Sequence, residues 1–454
     1  MKSISLIRMV SLCGSVYSFL MGKVENTTME KIVSLAKRRG FIFQGSDMYG
    51  GLAGTYDYGP LGVTLKNNIK RLWWDTFVEK RDDMYGLDAS ILMNEKVWEV
   101  SGHTGAGFTD PLVECTKCKK RFREDHLEDT STCPECKGAL GEKRDFNLMF
   151  ETRVGAQGDM KSYLRPETAQ GIFVNFKNVM DTMRPKLPFG IAQIGKAFRN
   201  EIAPRDFVFR TREFEQMEIE YFVEENSWQA EFENWKETIR DFLGRLGLSD
   251  DNLREVEVAG NDLAHYSKRT IDFEYNYPGK GFDELLGLAY RTDHDLKNHM
   301  EGSGEKMVYT PVEGVPFVPH VIEPSFGVER ALMAVLSEAY TEDEMNGETR
   351  VFLKLKPELA PVKVAVFPLM KNRPELVEKA REIYTELKET IPQVMFDDNG
   401  NVGKRYRRQD EIGTPWCVTV DFDTLEDNTV TVRERDTGEQ KRIALTELTS
   451  FVTT

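Results

Sequence analysis

The sequence predicts an α+β protein of several domains, and three observations carry that expectation. The chain has 454 residues, too many for one compact core, so two to four domains are expected. From Leu187 to Val223 it holds two long stretches of alternating residue character joined by a loop containing Pro204, as paired strands require. After Pro361 strands and an amphipathic helix alternate, the pattern of a compact mixed α/β unit.

Along the chain the elements follow in order. Met29 to Arg39 has helical spacing, with Ile32, Val33, Leu35 and Ala36 on one side. Glycine-rich text from Gly40 to Gly62 permits tight turns and close backbone approach. A long helix is expected from about Leu61 to Lys80, burying Leu65, Ile69, Leu72, Trp73 and Phe77. A cysteine-bearing segment over about 110–145 interrupts this style, and the paired strands come next. A helix from Trp228 to Leu248 buries Phe232, Trp235, Ile239, Phe242 and Leu246. A mixed segment runs to about 320, Val321 to Glu323 reads as a strand end, and Gly327 to Tyr340 as a helix packing Val328, Ala331, Leu332, Val335 and Leu336. In the last part, Val364–Phe367, Val394–Phe396, Trp416–Val420 and Val430–Val432 read as strands and Glu375–Thr390 as a helix.

Composition narrows the function classes. An apolar content of 40% and an aromatic content of 11% suit a globular protein. No apolar run reaches the roughly 20 residues of a membrane span, so no membrane partner is expected. The formal net charge of −15 repels phosphate overall, so a nucleic-acid partner must meet local basic patches. Lys117 to Arg123 and Lys404 to Arg408 offer two, although each reads equally as a solvated charged stretch. Six cysteines, four in two C-x-x-C pairs with Cys13 and Cys417 alone, do not make a secreted disulfide framework and fit a reducing, cytoplasmic setting. Lys2 and Arg8 precede an apolar stretch from Met9 to Met21 with the outline of a signal peptide or presequence. It lacks a clean small-x-small cleavage site, and Met21 and Met29 offer later starts, so residues 1–28 are read as an extension of uncertain role.

Cys115-x2-Cys118 and Cys133-x2-Cys136 are separated by fourteen residues, a spacing that brings four thiolates into a tetrahedron around zinc. Four thiolates leave no open coordination position, so such a zinc is structural. The alternative is a metal-free pair of reduced knuckles. The basic flank of Lys117, Lys119, Lys120, Arg121 and Arg123 suits nucleic-acid phosphates or plain solvent. The six histidines, His103, His126, His265, His294, His299 and His320, show no metal spacing among themselves, and most read as structural.

Read with period two, Gln193, Gly195, Ala197, Arg199 and Glu201 share one face, as do Phe214, Gln216, Glu218 and Glu220 on the second strand. A connection at 202–208 would gather Arg199, Glu201, Arg210, Phe214 and Glu218. Such a density of arginine and acid needs mutual pairing or a ligand when partly buried. By pattern alone, a salt-bridged solvent face and a binding site carry equal weight.

The same residues carry a resemblance. Phe198-Arg-Asn-Glu201 with Arg210-Thr-Arg-Glu-Phe-Glu-Gln216 is similar to motif 2 of the class II aminoacyl-tRNA synthetases. Gly327-Val-Glu-Arg330 resembles motif 3, and Gly59-Pro-Leu-Gly62 with its following helix resembles motif 1, the dimer-forming element of that class. Within the class the chain resembles the glycyl-tRNA synthetase family from residue 29 to the end. The segments concerned are Gly45-Ser-Asp-Met-Tyr-Gly50, Trp98-Glu-Val-Ser-Gly-His103, Leu164-Arg-Pro-Glu-Thr-Ala-Gln-Gly171, Phe214-Glu-Gln-Met-Glu218 and Glu323-Pro-Ser-Phe-Gly327.

The resemblance implies an antiparallel class II sheet flanked by helices over 29–358, with a zinc-ribbon insertion at about 110–145 and a second insertion at about 225–320. It implies an anticodon-binding domain over 359–454, where Lys404, Arg405, Tyr406, Arg407 and Arg408 suit single-stranded loop recognition or form a flexible basic loop. The implied activity is attachment of glycine to the 3′ end of tRNA(Gly) through glycyl-adenylate, with ATP and Mg2+ and in a homodimer. Arg199 would hold the α-phosphate and the glycine carboxylate, and Phe214 and Arg330 would sandwich adenine. Arg210 would reach the outer phosphates, and Asn200, Glu201, Phe209, Thr211, Arg212, Glu213, Leu285, Gly327, Val328 and Glu329 would complete the ATP contacts. Glu284 is the candidate Mg2+ ligand. Glu167, Glu218 and Glu323, with Ser325, would hold the glycine ammonium. Arg123, Phe214, Glu215, Gln216, Met217, Pro324, Phe326 and Gly327 would lie alongside. The rival readings are a class II synthetase for proline, threonine or histidine, and a catalytically dead RNA-binding relative. The three glutamates weigh against the first, and the presence of both Arg199 and Arg330 weighs against the second.

Overall fold

The computed structural model describes residues 29–204, 206–260, 263–264, 266–345 and 347–453. The extension read over 1–28, with Cys13, and His265 lie outside the described residues. A helix spans 29–38 and buries Ile32, Leu35 and Ala36, with Val33 half-buried. Next comes α1 (Pro60–Trp74), entered through Gly59 and Pro60, where a fixed φ and a missing N–H cost nothing. The expected helix to Lys80 forms, but its last turn, Asp75–Glu79, is widened into a π-turn. Gly62 has to be glycine, since a Cβ there would stand 1.8 Å from the Phe41 carbonyl oxygen.

A seven-stranded sheet organises the chain between 84 and 327. Its strands are β1 (Met84–Gly86), β2 (Phe189–Phe198), β3 (Glu213–Val223), β4 (Leu253–Val258), β5 (Arg269–Tyr277), β6 (Gly281–Thr292) and β7 (His320–Gly327), in the order β4-β5-β6-β7-β3-β2-β1. All pairs are antiparallel except β1 with β2. The register sets Gln193, Glu218, Ser325 and Gly287 side by side across four strands, and Gly195, Gln216 and Gly327 in the adjacent row. Alternation therefore gives β3 one polar face and one apolar face, the latter carrying Met217, Ile219 and Tyr221.

The apolar face is covered by α1, by α3 (Trp228–Arg245) and by α5 (Val328–Ala339), while α2 (Ala169–Met183) and α4 (His294–Ser303) close the other side. Phe326 on β7 meets Phe77 at 5.5 Å, Phe242 at 5.6 Å and Trp73 at 6.0 Å, centroid to centroid. Fully burying one such side chain contributes roughly 1.5–3 kcal/mol, so this aromatic nest is a main hold on the sheet.

The C-terminal unit has a five-stranded sheet of order β9-β8-β10-β11-β12, built from β8 (Val364–Pro368), β9 (Val394–Phe396), β10 (Trp416–Val420), β11 (Thr429–Glu434) and β12 (Gln440–Ala444), with α6 (Pro374–Thr390) packed on it. The basic run is neither a loop nor an open platform. It lies in α7 (Val402–Ile412), where Arg405 is buried and donates to the carbonyls of Pro368, Asp398 and Gly400. Tyr406 is bonded to Thr419, and Arg408 pairs with Asp397 at 2.7 Å. Lys404 stays exposed and Arg407 half-exposed, so most of the run is scaffold. Between the two units the hairpin of Tyr340–Met345 and Glu348–Leu353 sends fully buried Arg350 onto Asp343, Asp410 and the carbonyls of Arg435 and Asp436.

The cysteines close as expected. The Sγ atoms of Cys115, Cys118, Cys133 and Cys136 all lie within 4.8 Å of one another, with edges of 3.5 Å between Cys115 and Cys136 and 3.8 Å between Cys118 and Cys133. Zinc–sulfur bonds of about 2.3 Å in a tetrahedron require edges of about 3.8 Å, so this donor set fits the ion.

Candidate active site

Two adjoining cavities lie over the polar face of the sheet and share Arg199, Gln216, Glu284 and Ser325. In the first, Arg199 leaves the end of β2 with Nε on the Pro166 carbonyl at 3.1 Å. Its guanidinium stands 5.4 Å from the Phe214 ring and 5.6 Å from the Phe108 ring. Gly195 leaves room for the neighbouring Arg165, whose Nη2 would stand 2.2 Å from a Cβ there. Arg330, at the start of α5, pairs with Glu284 at 2.9 Å and lies 4.6 Å over Phe209. Arg210 faces Glu201 at 3.7 Å. Thr211, Leu285, Gly327 and Glu329 complete the lining. Arg330 holds the Glu284 carboxyl below its usual range against the opposing effect of burial. A cleft with three arginines and two facing aromatic rings, Phe209 and Phe214, is equipped for a polyanion attached to a flat base.

The second cavity is acidic. Glu218 accepts from the Thr168 amide at 2.9 Å, from the Thr168 hydroxyl, and from Gln216 Nε2 and Ser325 Oγ, each at 2.8 Å. Glu167 accepts from Gln170 at 3.0 Å and faces His103 Nε2 at 3.3 Å, while His103 Nδ1 meets Ser101 at 2.8 Å. Glu323 accepts from Arg291 at 2.8 Å, and the same guanidinium takes Asp295 in a fork of two 2.8 Å bonds under the Tyr266 ring. Burial raises Glu323 to about 8, with Arg291 pulling against it and Glu218 and Glu167 adding to it. Burial, then Glu167, raises Glu218. Burial also works on Glu167, but His103, Arg291 and Gln170 outweigh it and hold that carboxyl low. At the junction of the cavities Asp272 is raised to about 7, first by burial and then by Glu284. A pocket richer in carboxyls than in cations has the chemistry to take a cation.

The sequence reading missed Thr168, Gln170, Tyr266, Asp272, Arg291 and Asp295, and it left His103 among the structural histidines. Asp272 had a signal, an acid between the inward apolar positions Ile271 and Phe273. The Arg291–Asp295 fork spans a strand end and a helix start and had none.

Several expected contacts fall elsewhere, and strand alternation explains most of them. Glu213 pairs with Lys196, and Glu215 with Lys66 and Lys70, both off the cavity. Met217, Phe326 and Val328 are core residues, and Pro324 is buried between Glu323 and Ser325 without lining either cavity. The expectation took consecutive residues from these stretches, and every second one faces away. Arg212 instead holds the carbonyls of Ala53 and Glu201, and Asn200 bonds Leu148 through its backbone. Arg123 is held by Asp110 at 2.8 Å and by Asp125, and lines neither cavity. Glu329 does line the first cavity but is engaged by Lys66 at 2.7 Å.

Comparison with known proteins agrees with this geometry. The family described as tRNA synthetase class II core domain (G, H, P, S and T) matches residues 150–339, and the anticodon binding domain family matches 363–454. A glycine–tRNA ligase of Caldanaerobacter subterraneus subsp. tengcongensis is 52% identical over 457 residues, covering 94% of this chain and 98% of that protein. Those of Clostridium acetobutylicum and Thermobifida fusca are 50% and 49% identical with the same coverage. With a class II core, an arginine-lined cleft and an acidic pocket beside it, the chain belongs to the glycine–tRNA ligase family.

Proposed function

We propose that this protein attaches glycine to the 3′ end of tRNA(Gly) in two steps, with glycyl-adenylate between them. The observation that carries this reading is the convergence of Glu167, Glu218 and Glu323 beside Arg199. An ammonium set among the acids has its carboxylate directed toward the arginine cleft. There Arg199 neutralises the charge that grows as the carboxylate attacks the α-phosphate in line. Phe214, Phe209 and Arg330 hold the base, and Arg210 the outer phosphates. No covalent protein intermediate is required, and positioning with charge neutralisation supplies the rate. Two carboxyls, Glu284 and Asp272, flank Gly287 from the same side, each within 3.9 Å of where a Cβ would stand. These oxygens would hold the Mg2+ that accompanies ATP, which supplies charge neutralisation at the phosphates. The four cysteines would hold a structural Zn2+.

Glycine has no side chain to grip, so selection rests on lack of space. Donors on Glu218 and Glu323 fix the pocket walls, and an alanine methyl meets overpacking of roughly 1–3 kcal/mol. Residues 29–358 act as the catalytic unit and 359–454 as the anticodon-binding unit. The exposed side chains Phe43, Met48, Tyr49, Leu52 and Val63 around the start of α1 support a homodimer through that face. No helix among the described residues is long and apolar enough to cross a membrane. We assign the activity to the cytoplasm, in keeping with the reduced cysteines.

The decisive experiment is amino-acid-dependent ATP–pyrophosphate exchange across all twenty amino acids. Exchange with glycine alone is expected. Strong exchange with proline or threonine, or none with any amino acid, would overturn the reading.

A further inference from the structure

Behind the acidic pocket stands a carboxyl that the two-step reaction does not use. Glu220 lies on β3, two residues past Glu218 and on the same face, with no solvent exposure. Neither of its side-chain oxygens has a hydrogen-bond donor among the described residues. Its charged neighbours are Glu323 on β7, Arg291 on β6, Glu218 on its own strand and Asp295 on α4. Around them stand Glu167 facing His103, Tyr266 over Arg291, and His299, which bonds Gln170 and which burial makes harder to protonate. The group thus sets five carboxyls against Arg291, whose bonds go to Asp295 and Glu323, and Arg199, whose charge acts on Glu218.

The other acids are provided for. Glu218 has four donors, Glu167 has Gln170 beside its facing histidine, and Asp295 has the arginine fork with Gln170. A sealed carboxylate without a single donor is the costliest member of such a group to ionise. We propose that Glu220 is a positioning residue for the substrate ammonium, a carboxylic acid kept neutral behind Glu218 and Glu323 so that those two carry full charge toward the cation. A proton on Glu220 turns its main repulsion, with Glu323, into an attraction and steadies the Glu323 carboxyl from behind. Burial, then Glu323, pushes the Glu220 carboxyl well above its ordinary range, in agreement with this placement.

The inference rests on the reading of the pocket as an ammonium site, and its test separates the two. Infrared difference spectra of the full-length wild type against Glu220→Gln at pH 7 should show one protonated-carboxyl C=O band lost. That band should persist in the wild type when glycine and ATP are added. In pyrophosphate exchange, Glu220→Gln, neutral and of the same shape, should keep KM for glycine within about threefold of wild type. Glu220→Leu, which removes the O–H, should raise it about tenfold or more with KM for ATP unchanged. Absence of the band, or an equal rise in KM for glycine in both variants, overturns the proposal. If Glu220→Leu does not fold, the infrared band and the Glu220→Gln kinetics still decide. Loss of glycine-dependent exchange in the wild type would instead strike the functional reading.

Discussion

The two halves of the site are built from opposite charge and settle it differently. In the nucleotide half Arg199, Arg210 and Arg330 face open space, and two of them are already matched with carboxylates, Glu201 and Glu284. In the amino-acid half the acids outnumber their cations, and burial with mutual repulsion pushes Glu218, Glu220 and Glu323 up from the ordinary carboxylate range. The first half is ready for ATP as it stands. In the second, under the proposed function, binding of the substrate ammonium would also relieve repulsion. That would give selectivity for an ammonium without any grip on a side chain.

The largest effect should come from breaking the junction. Arg199→Ala removes the charge shared by both halves and should lower kcat for pyrophosphate exchange about 100- to 1,000-fold. Glu218→Gln unbalances only the acidic half, and should raise KM for glycine about 10- to 100-fold while KM for ATP holds. Equal loss of both would merge the two halves and count against the contrast.

Acidity sharpens the same contrast. Glu323, at about 8 in the empty pocket, must ionise to pair with an ammonium. Its proton gives the empty fold stability that is complete below the ordinary carboxylate range and is lost as pH rises through about 8. Glycine binding runs the other way, tightening by up to about tenfold per pH unit below 8 and levelling above it. KM for glycine should follow that course and KM for ATP should not, and the thermal shift caused by glycine should be larger at pH 8 than at pH 6. Smaller effects lie outside the site. A strong chelator should release about one zinc per chain and add an early step to thermal unfolding, as Cys118→Ser should also do. Smallest of all, Lys404→Ala with Arg407→Ala should raise KM for tRNA only about threefold, because Arg405 is buried and Arg408 is tied to Asp397.

How much of this was legible in the sequence follows from how local each feature is. The cysteine cluster is short-range, and its spacing was enough. The helices of 60–74, 228–245 and 328–339 announced their buried faces by period, because one residue's environment repeats every three or four positions. Arg199, Phe214, Glu218, Glu323 and Ser325 are brought together by strand alternation and resemblance, and all five line the two cavities. The resemblance runs through consecutive residues, whereas Glu215, Met217 and Phe326 lie on strand faces that point away from both cavities. Arg123 lies off both cavities for another reason, because its partners, Asp110 and Asp125, are set by how the insertion folds. Arg291 and Asp295 meet Glu323 and Gln170 from distant parts of the chain, and no window of sequence contains that encounter.

Arg350, sealed between the hairpin and the C-terminal unit, makes the molecule a calliper with a fixed jaw. Arg350 holds Asp343 within the hairpin and Asp410 with two carbonyls beyond it, which ties the hairpin to the C-terminal unit at that point. For the proposed tRNA substrate such a joint would favour one reach between the two ends of the adaptor, and the distance spanned would matter as well as the nucleotides touched.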